Sequence, residues 1–207
     1  MAKRLGEFLF SIRSYTPIPL LLVVLILSQT SRQSFLIGFP LVILGEALRL
    51  WGVAYAGEYT RARDVNIPRL VTDGPFAHLR HPLYVGNFFL VIGFCLIGWA
   101  WMPWMLILAF ILFGVQYSFI IHLEEAHLTE TFGEEYIKYK AAVPMFLPFK
   151  GKYKALDVSL QSTVHSPQSI QARWDMAWRN EDRTKLSIAL ILVAFMLRAY
   201  LRMTRGF

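Results

Sequence analysis

Long runs of apolar residues set the first limit on what this chain can fold into. Of its 207 residues, 56% have apolar side chains and only 17% are charged. A soluble domain of this size carries more charge, whereas a helix of about 20 apolar residues spans the hydrocarbon core of a bilayer. The sequence therefore predicts an all-α, polytopic membrane protein that has the membrane bilayer as a partner.

Five apolar segments are candidates for membrane helices, so we expect about five transmembrane helices. The first is too short alone unless Phe8–Ile12 extends it, and the last is marginal in length. The five segments are Pro17–Ser28, Phe35–Ala56, Leu83–Trp101, Met102–Ile121 and Leu186–Leu201.

The third and fourth segments are joined by Trp101–Trp104, a stretch that contains two tryptophans and Pro103. Proline fits a tight turn, and indole rings prefer the membrane–water interface. We therefore expect the two segments to form an antiparallel hairpin of helices.

The basic residues indicate a membrane orientation and no nucleic-acid partner. The net charge is +7, and Lys and Arg cluster beside the apolar segments, where anionic headgroups and the positive-inside rule explain them. We expect the N-terminus and the stretches 57–82 and 122–185 to be cytoplasmic. Five crossings then place Arg202 and Arg205 outside, so either the last segment lies in the interface or these charges are tolerated there.

One further helix is expected in the second cytoplasmic stretch, over Phe132–Val143. Its apolar positions Tyr136, Tyr139 and Val143 recur at helical spacing and share a face. Pro144 then ends the helix because proline cannot continue it.

Polar side chains gather in two clusters that flank the third and fourth segments. The first cluster is Leu70–Asn87 and the second is His122–His127. Because the intervening segments form a hairpin, the two clusters should meet at one mouth of the membrane protein. Such a mouth is a plausible cytoplasmic pocket for a charged cofactor beside a lipid-accessible face.

The first cluster contains a turn and the start of a helix. Asp73-Gly74-Pro75 is a turn sequence, and Pro82 suits the first turn of a helix. Arg80 and His81 would then precede the helix, near its unpaired backbone N–H groups. Anchoring of the helix at the interface would explain the two basic residues equally well. Tyr84 and Asn87 would share one helix face.

The second cluster places Glu124 and Glu125 directly after an apolar segment. A carboxylate there is costly unless it is paired, so it would suit a cationic ligand or Arg80. The simpler alternative is a solvated helix end. If the reaction required a proton acceptor, Glu125, His122 or His127 could provide it.

These residues form a spaced pattern that resembles the C-terminal signature of the isoprenylcysteine carboxyl methyltransferases and the related phospholipid methyltransferases. The matching block covers about residues 67–149, and its many spaced positions make it specific for the superfamily but much less so for the substrate. The pattern is Leu70-Val71-Thr72-x-Gly74, Arg80-His81-Pro82-x-Tyr84-x-Gly86 and Glu124-Glu125-x-x-Leu128-x-x-x-Phe132-Gly133-x-x-Tyr136-x-x-Tyr139, then Val143 and Pro148.

The resemblance implies S-adenosyl-L-methionine as cofactor, with His81, Pro82 and Tyr84 lining it and Leu70 and Val71 giving backbone contacts. Glu124 corresponds to the acidic residue that holds the cofactor, and Phe76 replaces a frequent Tyr. Together with the reasoning above, this predicts catalytic roles for Glu125, His122 and Arg80, and cofactor contacts from Leu70, Val71, His81, Pro82, Tyr84, Asn87 and Glu124.

One position departs from the resembling family. Enzymes that methylate prenylcysteine carry an Arg one helical turn before the acidic residue, where this chain has Ile120. The nearest polar residues are Tyr117 and His122, so a cation for an acceptor carboxylate is missing or moved. The predicted reaction is methyl transfer to a lipid-linked or hydrophobic acceptor, most like prenylcysteine carboxyl methylation, with phospholipid N-methylation as the alternative.

The expected domain organisation follows from the same pattern. Residues 1–149 would be the membrane methyltransferase domain, 150–184 a cytoplasmic linker and amphipathic segment, and 185–207 an additional apolar helix. The partners would be a lipid or prenylated substrate and the bilayer, and the large apolar surface would be compatible with a homodimer.

Two other classes of function remain open. His78-x-x-His81 and Glu124-x-x-His127 have metal-ligand spacings found in membrane di-iron oxygenases. Those enzymes need many histidines, whereas this chain has only five, and its one cysteine, Cys95, lies in an apolar run. No metal is therefore expected. A membrane scaffold or transport subunit would use polar residues inside the bilayer, such as a Glu46–Arg49 pair.

Overall fold

The computed structural model describes residues 15–57, 69–148, 153 and 170–205. Within these residues the regular secondary structure is helical and contains no strand, which confirms the all-α prediction. A short 3₁₀ helix, Gly74–Ala77, precedes the third α-helix. The α-helices are α1 Pro17–Ile26, α2 Arg32–Ala56, α3 Pro82–Gly98, α4 Trp104–Phe132, α5 Glu134–Ala142, α6 Ile170–Asn180 and α7 Asp182–Arg205.

Apolar helices occur at all five predicted places, but they differ in length. Three stretches, Arg32–Ala56, Trp104–Phe132 and Asp182–Thr204, are long and apolar enough to cross a membrane. Helices α1 and α3 are apolar but have only 10 and 17 residues. The number of crossings and the cytoplasmic orientation stay predictions. The proposed extension by Phe8–Ile12, the basic residues Arg61 and Arg63 and residues 154–169 lie outside the described residues.

Helix α4 is longer than the sequence suggested. The predicted apolar segment ended at Ile121, whereas the helix continues to Phe132. Leu128 and Phe132 pack against a buried cluster and explain why the helix persists. Glu124 and Glu125 therefore lie inside a helix and not at a solvated helix end.

Helix α5 begins two residues later than predicted. Gly133 adopts a positive φ of 52°, a conformation that glycine reaches without a Cβ clash, and it separates α4 from α5. The helix ends at Ala142, before Pro144, as expected. Tyr136, Tyr139 and Val143 are all buried together with Leu70, which confirms their shared face.

Helices α3 and α4 form the predicted hairpin. Residues 99–103 connect them, and Trp99 and Trp101 take positive φ values of 46° and 45° in this turn. Phe88 of α3 meets Phe110 of α4 edge to face, with ring centroids 4.8 Å apart. Because Phe88 lies before the turn and Phe110 after it, their contact shows that the chain reverses and that the two helices are antiparallel.

The chain divides into two compact units by packing. The first contains residues up to Glu46, Gly86–Leu123 and Arg183 onwards, and the second contains Ala47–Val85 and Glu124–Asp182. This division interleaves segments that are distant in sequence. The predicted functional division into 1–149, 150–184 and 185–207 stays a prediction.

In the first unit, α2 and α3 approach backbone to backbone. A Cβ built on Gly38 would collide with the Gly93 carbonyl and would lie 2.7 Å from the Ile97 backbone nitrogen. The Ser34 hydroxyl donates to the Ile97 carbonyl at 3.0 Å. Small residues permit this close packing, which is a common way for apolar helices to associate in membranes.

Replacing Gly38 by Ala should therefore destabilise the first unit. The added methyl group must displace backbone atoms, so we expect a loss of about 1–3 kcal/mol, the usual range for overpacking. Gly114→Ala is the matched control, because a Cβ there meets no atom within 4 Å. Thermal unfolding of the purified protein in detergent measures both variants, and equal midpoints would contradict the close packing.

Candidate active site

The second unit brings the N-terminal end of α3 next to α4 and α5. The turn before α3 begins at Gly74, where φ is 59° and a Cβ would collide with the Tyr55 ring. Gly74 is also the first residue of the 3₁₀ helix Gly74–Ala77. Helix α3 then begins at Pro82, as predicted. Arg80 and His81 are thus fixed directly before the first turn of α3.

Arg80 is bound to the C-terminal end of α5. Its Nη1 donates to the carbonyl oxygens of Val143 at 2.6 Å and Lys140 at 3.0 Å. Its backbone N–H donates to the Pro144 carbonyl at 3.0 Å. A cation at this place satisfies the last carbonyls of a helix and interacts favourably with the helix dipole.

Glu125 is the buried centre of the site. Its Oε1 lies 2.9 Å from Arg80 Nε and 3.2 Å from His81 Nε2, and its Oε2 lies 2.8 Å from Lys140 Nζ. The Glu125 side chain is only 8% exposed. These contacts confirm that the two polar clusters meet, and they show that Glu125 already has a partner on each carboxylate oxygen.

Glu124, the preceding residue, has different surroundings. Its side chain is 27% exposed. Oε2 accepts a hydrogen bond from the Tyr84 hydroxyl at 3.0 Å and lies 3.6 Å from His81 Nδ1. Among the described residues, no Lys or Arg side chain forms an ion pair with Glu124, so its negative charge is balanced less fully than that of Glu125.

His81 lies between the two glutamates. It is 5% exposed, and its ring stacks on Tyr84 with centroids 5.6 Å apart. One ring nitrogen faces Glu125 and the other faces Glu124. Since a neutral imidazole has only one N–H donor, its tautomer decides which carboxylate accepts the hydrogen bond.

Two tyrosines of α5, Tyr136 and Tyr139, are buried next to the site. Tyr139 donates from its hydroxyl to the Phe76 carbonyl at 2.8 Å, and burial raises the pKa of Tyr139 above its ordinary value. Burial, followed by the negative charge of Glu125, also raises the pKa of Tyr136. Both phenols therefore stay neutral at physiological pH.

The other predicted site residues are placed as follows. Pro82 is fully buried, and Leu70 belongs to the buried cluster around Tyr136. Asn87 and His122 belong to the first unit, where Asn87 is half-buried and His122 is exposed. The catalytic and cofactor-binding roles assigned from the sequence stay predictions.

Several participants were missed by sequence reasoning. The sequence predicts Lys140 only as one of the basic residues in the cytoplasmic stretch 122–185, whereas the structure pairs it with Glu125. The carbonyls of Val143 and Pro144 bind Arg80. The only sequence signal was helical spacing, which puts Lys140 one turn after Tyr136.

Helix α6 belongs to the second unit and packs against its other segments. Ala177 is buried against Val53 and Ala54. Arg173 lies 3.8 Å from the Asp73 carboxylate and 5.5 Å above the Tyr55 ring, so it contacts the turn that precedes α3.

A second ion pair fixes the end of α6. Arg49 Nη2 lies 2.8 Å from Glu181 Oε2, and the Glu181 side chain is only 2% exposed. The sequence had suggested a pair between Glu46 and Arg49, and it gave no indication of a partner 132 residues away.

The described residues were also searched for metal-binding groups. They contain no group of three or more His, Cys, Asp or Glu side chains arranged to hold a metal ion. The polar side chains that lie close together at the site are Arg80, His81, Glu125 and Lys140, and Glu125 pairs with the other three.

Comparison with known proteins covers the part of the chain that contains this arrangement. Residues 33–135 match the family model described as phospholipid methyltransferase. The match includes Arg80, His81 and both glutamates. Just under half of the chain therefore resembles the phospholipid methyltransferase family.

Curated relatives of this chain carry methyltransferase names. The Xenopus laevis protein-S-isoprenylcysteine O-methyltransferase is 34% identical over 125 residues, which are 55% of this chain and 40% of the relative. The human protein of the same name is 33% identical over 124 residues, 54% of this chain and 40% of the relative.

A relative with a different name is the methanethiol S-methyltransferase of Crocosphaera subtropica. It is 30% identical over 126 residues, 57% of this chain and 46% of the relative. The chain thus spans less than half the length of these relatives. No solved structure matches the chain.

Neutralising Glu125 should destabilise the second unit. Glu125→Gln leaves Arg80, His81 and Lys140 without their shared carboxylate, so we expect a loss of about 3 kcal/mol, the scale for breaking a buried pair. Glu130→Gln is the control, because Glu130 lies on the same helix and is exposed. Thermal unfolding in detergent compares them, and indistinguishable midpoints would refute a structural role for Glu125.

Proposed function

We propose that this chain is an integral membrane enzyme that uses S-adenosylmethionine to methylate a lipid-linked or otherwise hydrophobic acceptor. Its reaction would be most like carboxyl methylation of a prenylated cysteine. Support comes from the match of residues 33–135 to the phospholipid methyltransferase family model, from the names of the relatives and from the three long apolar helices. The single observation that carries the assignment of the site is the incompletely balanced Glu124.

The residues around Glu124 fit a cationic methyl donor. S-adenosylmethionine carries a sulfonium and an amino group, and an accessible carboxylate without a Lys or Arg partner among the described residues attracts either cation. Tyr84 and His81 hold this carboxylate in place. Leu70, Val71, Pro82 and Asn87 complete the proposed cofactor-binding set, with His81 and Tyr84 contributing their ring faces.

When bound, the cofactor supplies an electrophilic methyl group. The contribution of the protein is alignment of the acceptor with that group and exclusion of water. The buried ion pairs of Glu125 keep the start of α3, the C-terminal third of α4 and the end of α5 in fixed relation. Arg80 and Glu125 therefore act in our proposal as positioning residues.

The need for a proton acceptor depends on the acceptor of the methyl group. A carboxylate is already ionised and needs no base, whereas an amine must lose a proton. Glu125 is surrounded by Arg80, His81 and Lys140, which makes it a poor base. For an amine acceptor, the exposed His122 is then the better of the predicted candidates.

The acceptor class is less constrained than the donor. Ile120 is fully buried and stands where prenylcysteine enzymes carry a cation, so an acceptor carboxylate lacks that partner here. This observation, and the methanethiol S-methyltransferase among the relatives, favour a thiol as a second candidate acceptor. Phospholipid amines remain the alternative within the same family.

Glu124 and His81 should both contribute to donor binding. Removing one charge-assisted contact weakens binding by about 1.4 kcal/mol, which is tenfold in Kd. We expect Glu124→Gln and His81→Ala each to raise the Kd for S-adenosylmethionine by about this factor in calorimetry. Glu130→Gln should bind like the parent protein, and unchanged affinity in both site variants would remove the basis for this pocket.

Acceptor class can be read from the stability of the product. The purified protein is incubated with methyl-labelled donor in three separate reactions, which contain a farnesylated cysteine, an alkyl thiol or an aminophospholipid as acceptor. We expect base-labile label on the prenylcysteine, since only a methyl ester releases methanol in alkali. Base-stable label on the thiol or the phospholipid alone would replace the proposed acceptor by that class.

A further inference from the structure

Helix α6 presents two different sides. Ala177 is fully buried against Val53 and Ala54 of the second unit. Trp174 and Trp178, four residues apart, are 43% and 60% exposed and therefore neighbour each other on the helix surface. Ala177 lies about 60° around the helix from Trp174, so the exposed indoles border the packed side of α6. Indole rings combine an apolar body with a polar N–H group and suit surroundings that are partly apolar and partly wet.

Chain connectivity places this surface close to the bilayer. Helix α6 ends at Asn180, and α7 begins at Asp182. The stretch Asp182–Thr204 is long and apolar enough to cross a membrane. Trp178 is only four residues from the start of that stretch, or about 6 Å at the rise of a helix.

Basic side chains on either side of the α6–α7 junction in the chain fit lipid headgroups. Arg179 and Arg183 are exposed and can meet headgroup phosphates, while indole rings prefer the level of the headgroups over both water and hydrocarbon. A soluble partner protein would not explain why the tryptophans come just before a membrane-length helix in the chain.

We propose that α6 is an interfacial helix whose Trp174–Trp178 face inserts into the headgroup layer of the membrane. The occupant of this face is the lipid surface itself. The indoles then find their preferred surroundings, and Ala177 keeps its contacts with Val53 and Ala54.

Anchoring of α6 has a consequence for the site. Arg173 contacts Asp73 and Tyr55 in the turn before α3, and Arg49 holds Glu181 at the end of α6. A helix held in the headgroup layer thus keeps the turn before Arg80 near the lipid surface, where a hydrophobic acceptor would arrive. This consequence, unlike the anchoring, rests on the proposed function.

Spin labels measure the depth of α6 without reference to activity. The full chain carries one cysteine, Cys95, which is buried, so the unmodified protein reports background labelling. Trp178→Cys and Gln171→Cys, seven residues apart on the same helix face, are labelled in nanodiscs. Ala172→Cys is the matched control, since Ala172 is exposed on α6 but lies about 120° around the helix from Trp178.

Accessibility to oxygen and to a water-soluble nickel chelate then gives the answer. We expect the oxygen-to-nickel ratio at positions 178 and 171 to exceed that at 172 by about threefold, because oxygen concentrates in lipid. A ratio equal to the control would mean that the face lies in water. Low access of both reagents would mean that protein, such as a second copy of the chain, covers it. Either result would overturn the proposal, whether or not the protein methylates any acceptor.

Discussion

The buried carboxylate of Glu125 holds together three segments that are far apart in the chain. It receives Arg80 and His81 from the start of α3 and Lys140 from α5, while its own backbone belongs to α4. Arg80 in turn binds the last carbonyls of α5. Charges taken out of water are stable only when each has its partner, so this arrangement admits few alternatives. The shape of the whole site depends on one side chain that is almost inaccessible to a ligand.

The saturation of Glu125 explains why its neighbour is the more plausible ligand group. Successive residues of a helix point about 100° apart, so the burial of one glutamate directs the other toward a different environment. Glu124 is partly exposed and, among the residues that the structure describes, meets a hydroxyl and an imidazole and forms no ion pair with a guanidinium or an ammonium. A pair that looks redundant in the sequence thereby divides into a structural member and a member that we propose binds the cofactor.

The sequence was informative where periodicity and turn chemistry act locally. The α3–α4 hairpin, the start of α3 at Pro82, and the shared face of Tyr136, Tyr139 and Val143 all follow from such local rules. The continuation of α4 through Phe132 did not, because it depends on burial of Leu128 and Phe132 against distant residues. Likewise, no local pattern connects Lys140 with Glu125 or Arg49 with Glu181. Ion pairs across the fold are decided by packing, and the segment containing α6 carries a polar composition that resembles a linker when its partners are unknown.

The length of α4 relates the site to the thickness of a bilayer. The exposed Trp104 stands at the first residue of this helix, and Glu124 follows 20 residues later, about 30 Å along the axis. That interval equals the hydrocarbon thickness of an ordinary membrane. If the Trp104 indole lies at one surface of the membrane, the Glu124 carboxylate would lie just at the opposite surface of the hydrocarbon core. In a thicker membrane it would be drawn toward hydrocarbon unless the helix changed tilt, so lipid composition would itself tune how readily a charged donor reaches the carboxylate.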